Sequence, residues 1–519
     1  MSKTQQGVSY WQRTASIAER PPLRADVATE ICIIGAGIAG LSTAYHLARK
    51  GHDVIVLEDG AIGGAMTAFT TAHLTNVLDD RYFALERYHG EDGIRAACAS
   101  HTAAIDFVEA AVEREAIACD FRRLDGFLFA PPGDETDDLE REFAAMGRAG
   151  LRDVVKVPRA PIHAFDSGLA LKVARQAQFH PLSYLGGLAD AFQRMGGQIY
   201  CRTHATTVEG GSNARVATRD GPTVKARAIV VCTNVPINDL LVIHTKQAPY
   251  TTYVIGAEVA AGIVTPALYW DTRQSAQDST TGDAPYHYVR LAKAAESGKD
   301  VLLVGGEDHK TGQADDGARR FDALEQWTCE RWPIEGIAFR WSGQVMEPND
   351  GMAFIGRNPL DKDNVLVVTG DSGNGMTHGS LAALLLADLI EGRSSPWQNL
   401  YDPGRVKLQA VSDFVKENVN VAGEYAKGYL GRGEVSSDDD IAPDTGAVIR
   451  RHLRKVAVFR DRNGNLSECS AVCPHLGCIV AWNAVEKTWD CPCHGSRFDP
   501  WGKVLNGPAN TNLESVDPR

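Results

Sequence analysis

The sequence predicts an α/β nucleotide-binding body followed by a small all-β domain. Three observations predict it. A glycine-rich turn lies between an apolar strand and an amphipathic helix near the N-terminus. After residue 392 the composition shifts toward Ser, Pro, Gly and acidic residues. Beyond residue 447 short strands and turns dominate, and five of the eleven cysteines crowd into Cys469–Cys493. For a chain of 519 residues, roughly 150 residues per domain implies about three folding units.

The elements follow in order. Residues 30–35 (EICIIG) read as a buried strand. Residues 38–50 read as a helix with Leu41, Ala44, Tyr45, Leu47 and Ala48 on its apolar side, and 53–58 as a second strand. This β-α-β opening implies a parallel sheet with a right-handed crossover. Residues 101–116 read as helical, and Tyr184–Met195 as a helix stopped by Gly196-Gly197. Ala228–Cys232, 300–305 and 365–369 are strand-like, and the helix after Gly379 ends near Gly392. Ser394-Ser395-Pro396 and Asp402-Pro403-Gly404 mark a connector with some helix around 404–417, then an exposed acidic turn at Ser436–Asp440.

Composition excludes several classes. Basic residues number 53 against 66 acidic, a formal charge of −13 without a basic stripe, so nucleic acid is not an expected partner. No uncharged apolar run reaches the roughly 18 residues of a membrane span. The polar N-terminus lacks the apolar core of a secretory signal. A soluble, cytoplasmic protein is expected.

Gly35-Ala36-Gly37-Ile38-Ala39-Gly40 is a G-x-G-x-x-G motif in the context that gives it meaning. Gly35 allows the tight turn, Gly37 lets a pyrophosphate approach the backbone, and Gly40 lets helix and strand pack closely. The helix N-terminus offers free N–H groups to phosphate. Glu58, with Asp59 beside it, ends the next strand, where a carboxylate would hold ribose hydroxyls. The fold serves either FAD or NAD. Ala44, Leu47 and Gly51, and the loop Gly63-Gly64-Ala65-Met66-Thr67, resemble flavoproteins. A second glycine cluster, including Gly373, Asn374, Gly375, Met376 and Thr377, follows a strand and precedes a helix. It suits a loop whose N–H groups face a flavin ring.

Residues 473–496 carry C-x-H and then C-x-x-H, the ligand set of a Rieske [2Fe–2S] centre. Cys473, His475, Cys491 and His494 are the ligand candidates. A Cys2His2 zinc site is the alternative. Cys478 and Cys493, with the flanking Leu-Gly and Gly-Ser, argue against zinc.

These motifs carry a family resemblance. Residues 28–392 resemble the D-amino-acid oxidase superfamily, which includes glycine and sarcosine oxidases. The resemblance implies a Rossmann-like, discontinuous FAD-binding domain (1–85, 180–240 and 340–392) with an inserted β-rich substrate domain (86–179 and 241–339). A linker (393–446) and a Rieske domain (447–519) complete the expected division. Carried over, Val208 would lie near the adenine, and Thr233 and Asn234 by the flavin phosphates. The C-terminal boxes resemble those of the cytochrome bc1 and b6f Rieske proteins. That likeness implies that the four candidates bind iron and that Cys478 and Cys493 pair as a disulfide. Such a bond needs shielding in a reducing compartment. Phe498 stands where the respiratory proteins carry a tyrosine whose hydroxyl bonds a cysteine sulfur, while Ser496 keeps the other hydroxyl. A potential below the respiratory type is expected. The whole order also resembles a bacterial family of FAD oxidoreductases with a C-terminal Rieske domain.

The likeness implies hydride removal from a carbon beside an amine nitrogen, with single electrons passed through the cluster. The external acceptor would be a one-electron protein or quinone-like carrier. The substrate would be a small amine or amino acid. A reductase or electron carrier feeding a partner enzyme is the alternative. For catalysis, Tyr286, His287, Tyr288 and Arg290 form a polar-aromatic cluster, and tyrosine with arginine could hold a carboxylate. An ordinary strand with one wet face is the simpler reading of the same residues. His309 and Lys310 belong near a flavin or in a surface turn. His73 is a candidate for covalent flavin attachment.

Overall fold

The computed structural model describes residues 4–130, 136–238, 242–272, 284–293, 298–431, 433–435, 437–452 and 454–516. Ser436, the expected start of the acidic turn, lies outside them.

Apolar β-branched runs flanked by glycine build the first sheet. Its order is Phe354–Arg357, Val365–Thr369, Thr223–Val231, Val27–Ile34, Val54–Leu57 and Gln198–Tyr200. Along this path all neighbours are parallel except the first pair, and two further strands, Ala205–Glu209 and Arg215–Thr218, join antiparallel at Thr223–Val231. Ile34 aligns with both Leu57 and Val231. The strand carboxyl ends therefore meet at one edge, where ligands bind in such sheets. The helices Ile38–Arg49, Pro181–Arg194 and Gly375–Ile390 bury apolar faces in the same core as these strands. The helical stretch expected at 101–116 is the end of a longer run, Tyr82–Glu115. That run breaks at Gly90, whose φ of 69° is not helical.

The second sheet has ten strands, mostly antiparallel, running from Gly336–Pro348 through Gln247–Ala260, Lys299–Lys310 and Ala284–Lys293 to Leu268–Asp271, Arg122–Phe129 and Ala170–Gln178. Gln5–Gln6 and His73–Leu74 join its two edges. Both short strands come from the stretch expected to serve the nucleotide domain.

After the short helix Gln398–Tyr401, the connector's long helix is Val411–Leu430, where some helix around 404–417 was expected. Arg405 cannot join it, because its guanidinium is buried in a two-pronged bond to Asp350 at 2.7 Å. The helix instead bridges two bodies. Glu417 pairs with Lys310 at 2.6 Å, and Tyr429 donates to Gly477 O at 2.8 Å. The C-terminal domain has a three-stranded sheet (Thr445–Arg451, Arg454–Arg460, Leu466–Ser470) and a four-stranded one (Ala481–Asn483 to Val504–Asn506). Among the described residues, no helix is long and apolar enough to cross a membrane.

Candidate active site and cluster site

The strand Val27–Ile34 runs into Gly35 at φ +104°, and a Cβ there would lie 2.4 Å from Cys232 O. At Gly40 a Cβ would lie 1.9 Å from Gly35 O. Helix Ile38–Arg49 starts without a side-chain cap on Gly37, although Thr67 Oγ1 accepts from Ile38 N at 3.2 Å. Glu58 accepts from Ala36 N (2.7 Å) and Gly60 N (2.9 Å), which fixes its carboxylate at the cleft wall. Burial alone would raise Asp59, but His204 at 3.1 Å and nearby Arg219 hold its carboxyl below the usual range.

One continuous cleft runs from here into the ten-stranded sheet. Of the sequence candidates, Gly35, Gly37, Ile38, Ala39, Glu58, Asp59, Ala65, Met66, Thr67, Thr233, Asn234, Gly373, Asn374, Gly375, Met376 and Tyr286 line it. Ala36, Gly40, Gly63, Gly64 and Thr377 stand behind the wall. Gly63 N donates to Ala36 O at 3.1 Å, and Thr377 Oγ1 to Thr75 O at 3.1 Å. Val208 requires correction. It pairs with Val216 and packs in the apolar cluster on the sheet, while Thr203, His204 and Ala205 line the cleft instead.

Two catalytic candidates also require correction. Tyr286, Tyr288 and Arg290 alternate along one strand face, but Arg290 lies beyond the end of the cleft. Its Nη1 donates to Thr71 O, Ala72 O and Phe179 O (2.8–3.2 Å), and its guanidinium covers Trp11. His309 points to the opposite sheet face from Asp308 and stacks on Tyr253 at 5.7 Å. His287 likewise faces away, bonded to Asp271 at 2.7 Å and stacked on Trp327. His73 does line the cleft, with one ring nitrogen on Thr71 Oγ1 (2.9 Å) and the other on Val289 O (3.2 Å).

The sequence reading missed the acidic residues. Asp79, Asp80, Asp308, Glu347 and Asp371 line the cleft together with Thr252, Trp270 and Tyr288. Burial raises Asp79 and Asp371 to about 6 and Asp308 to about 7. Burial also lifts Glu347 well above its usual range, with Asp80 and Asp371 adding repulsion. The available signal was acidic residues ending an otherwise apolar strand, as in VLLVGGED. A carboxyl whose folded pKa is raised destabilises the fold once ionised there. Asp308→Asn is therefore expected to raise the melting temperature at pH 8. The gain should shrink as pH falls from about 7 toward the unfolded value of about 4. Melting curves across that range check it, and a gain independent of pH contradicts it.

The second site is built from two copies of one turn. Cys473 N donates to Cys478 O and Cys491 N to Ser496 O, both at 2.8 Å. Gly477 N then returns to Cys473 O and Gly495 N to Cys491 O. Both glycines take positive φ (86° and 80°). The turns bring Cys473 and Cys491 within hydrogen-bonding reach of each other. They set the rings of His475 and His494 5.0 Å apart and perpendicular. Cys478 and Cys493, 1% and 2% exposed, form the disulfide that ties the turns together. Both ring nitrogens of His475 are buried without a protein partner. Burial, then the nearby His244 and His494, push His475 down to about 3, so its imidazole is neutral and able to bind metal. His244, from the body, packs edge-on against His475 at 4.8 Å.

Comparison with known proteins decides what these sites belong to. Residues 30–389 match the family described as FAD dependent oxidoreductase, and residues 432–517 match the Rieske [2Fe-2S] domain. The chain belongs to the FAD-dependent oxidoreductase family. This oxidoreductase is 32% identical over 513 residues to a putative Rieske 2Fe-2S iron-sulfur protein, YhfW, of Bacillus subtilis, covering 98% of this chain and 97% of that one. It is 27% identical over 400 residues to the gamma-glutamylputrescine oxidoreductase of Escherichia coli, covering 75% and 90%. Its fold matches glycine oxidase from Geobacillus kaustophilus with a TM-score of 0.59 and 18% identity, over 73% of this chain and 99% of that one.

The cofactors of the oxidoreductase are FAD and a [2Fe–2S] cluster. The residues present fit both. The uncapped helix and the space kept open at Gly35 and Gly37 could hold the FAD pyrophosphate. Two adjacent thiols and two neutral imidazoles, one with both nitrogens orphaned, could hold the cluster. The sites are physically joined. Gln344 lines the cleft, takes a contact from its own N to Met66 Sδ (3.3 Å), and donates through Nε2 to Gly495 O at 2.9 Å. Asn506, also a cleft residue, donates to Gln344 Oε1.

Proposed function

We propose that the oxidoreductase is a dehydrogenase that breaks a C–H bond beside the nitrogen of a small amine or amino acid. The electrons then leave singly through the Rieske centre to an external one-electron acceptor. The observation that carries this reading is the Gln344 link, which ties the cleft to the His494 turn in one hydrogen-bonded unit. Bound FAD supplies two-electron hydride acceptance, and the cluster supplies one-electron transfer. The chain's own task is positioning. Tyr286, Tyr288 and Trp270 wall the substrate end, and Asp79 accepts from Tyr286 Oη at 2.8 Å. An ammonium must lose a proton before its neighbouring carbon can give up hydride. Asp308, with its pKa near 7 and Oδ1 unpartnered, is the carboxylate we assign to that proton. From the ammonium, loss of one proton and then the hydride leaves an iminium ion, which water hydrolyses to a carbonyl compound and the free amine or ammonia.

The test is an anaerobic titration of the holoprotein with primary, secondary and tertiary amines and amino acids. Flavin bleaching is read by absorbance and the reduced cluster by electron paramagnetic resonance. Bleaching followed by the Rieske signal is expected. If none of them bleaches the flavin while NADH or a reduced carrier does, the protein is a reductase and the proposal falls.

A further inference from the structure

We infer that the substrate end of the cleft is a cation site, built to take an amine that carries no carboxylate. This rests on the dehydrogenase reading and narrows its substrate class. Asp79, Asp80, Asp308, Glu347 and Asp371 converge on one stretch of wall from four separate parts of the chain. Most already hold one partner. Asp79 accepts from Tyr286, Asp371 accepts from Met346 N at 2.9 Å, and Asp80 and Glu347 share the Ser372 hydroxyl. Asp308, which also lines the cleft, is hydrogen-bonded to Thr252, but its Oδ1 is buried without a partner. A buried carboxylate oxygen left without a donor is costly unless a ligand supplies one.

Counter-charge from the chain itself acts only from behind the wall, Arg81 on Asp79 and Arg320 on Asp308. Among the described residues, neither lysine nor arginine lines the cleft. Arg290, the obvious candidate for gripping a carboxylate, lies outside the cleft lining, with its Nη1 held by three backbone carbonyls. Arg81 sits behind Tyr286 and donates to Leu78 O and Asp271 O. A substrate carboxylate would thus add a further acid to a wall whose carboxyls burial already drives toward protonation, with no lysine or arginine among the described residues lining the cleft to receive its charge. An ammonium would gain charge-assisted hydrogen bonds and the π faces of Tyr286 and Tyr288, whose rings lie 5.6 Å apart.

The test uses matched pairs that differ by one carboxylate: cadaverine against lysine, and dimethylamine against sarcosine. Each is added to the FAD-loaded protein, and perturbation of the flavin spectrum is followed alongside anaerobic bleaching. The carboxylate-free member should act at about tenfold lower concentration or less. Glu347→Gln and Asp308→Asn should each weaken cadaverine by about tenfold while FAD content is kept. Equal or tighter binding of the carboxylated member overturns the inference, as does the absence of any spectral change with all four compounds. The two readings fail separately. Bleaching by the amino acids alone removes the cation site and leaves the dehydrogenase. A spectral shift with cadaverine but no bleaching by any amine or amino acid leaves the cation site and removes the dehydrogenase.

Discussion

Gly40→Ala is expected to give a full-length protein that purifies without FAD. An alanine Cβ at this position would lie 1.9 Å from Gly35 O and 3.0 Å from Gly35 C. Both atoms are backbone, so no rotamer change relieves the overlap. Ordinary overpacking costs about 1–3 kcal/mol because side chains give way. Here the helix Ile38–Arg49 must lift off the strand Val27–Ile34. That movement opens the Gly35 turn and carries away the N–H groups that would meet the pyrophosphate. Gly37→Ala makes a useful contrast, since its Cβ would meet only the Thr67 hydroxyl at 3.1 Å, which can rotate. The flavin absorbance of each purified variant, relative to protein, reads the outcome. Cluster absorbance should persist in both, because the cysteine turns are closed by their own bonds and disulfide. Full flavin occupancy in Gly40→Ala would contradict the assignment of this turn to FAD.

What was legible in the sequence was local. The glycine motif and the two cysteine–histidine boxes each act within a few residues of backbone, so spacing alone conveys their geometry. Thr369 to Thr377 reads as a strand–turn–helix for the same reason, and the chain folds so. The acidic wall was not legible, because Asp79, Asp308, Glu347 and Asp371 meet only once distant strands are placed. Arg290 misled in the same way. The sequence grouped Tyr286, His287, Tyr288 and Arg290 as one cluster, but whether Arg290 reaches the cleft depends on its contacts with Trp11 and Phe179, from outside that strand. The connector helix shifted because the buried Arg405–Asp350 bond, a tertiary contact, stops the helix from starting earlier. His244, Gln344 and Asn506, which join body and C-terminal domain, carry no motif at all.

Phe498→Tyr is expected to raise the reduction potential of the cluster. Phe498 is 0% exposed and packs in the same apolar cluster as Cys473 and Cys491. Ser496 already hydrogen-bonds Cys473. A second hydroxyl aimed at a cysteine sulfur would favour the reduced cluster, which carries one more negative charge. Hydrogen bonds to charged groups are worth about 1.5–3 kcal/mol. If about 1.4 kcal/mol of that distinguishes the two redox states, the one-electron potential rises by about 60 mV. A redox titration followed by paramagnetic resonance measures the change. The failed outcome has its own signature. A tyrosine hydroxyl that reaches no sulfur in this pocket is a buried unsatisfied group, costing about 1–3 kcal/mol of stability. A lower melting temperature with an unmoved potential would therefore show that the tyrosine hydroxyl reaches no cysteine sulfur here, whereas an unchanged melting temperature with an unmoved potential would overturn the hydroxyl's role in setting the potential. Under the proposed electron order, a raised potential would favour the step from flavin to cluster and weaken the drive from cluster to the proposed acceptor, so Phe498 would favour onward transfer.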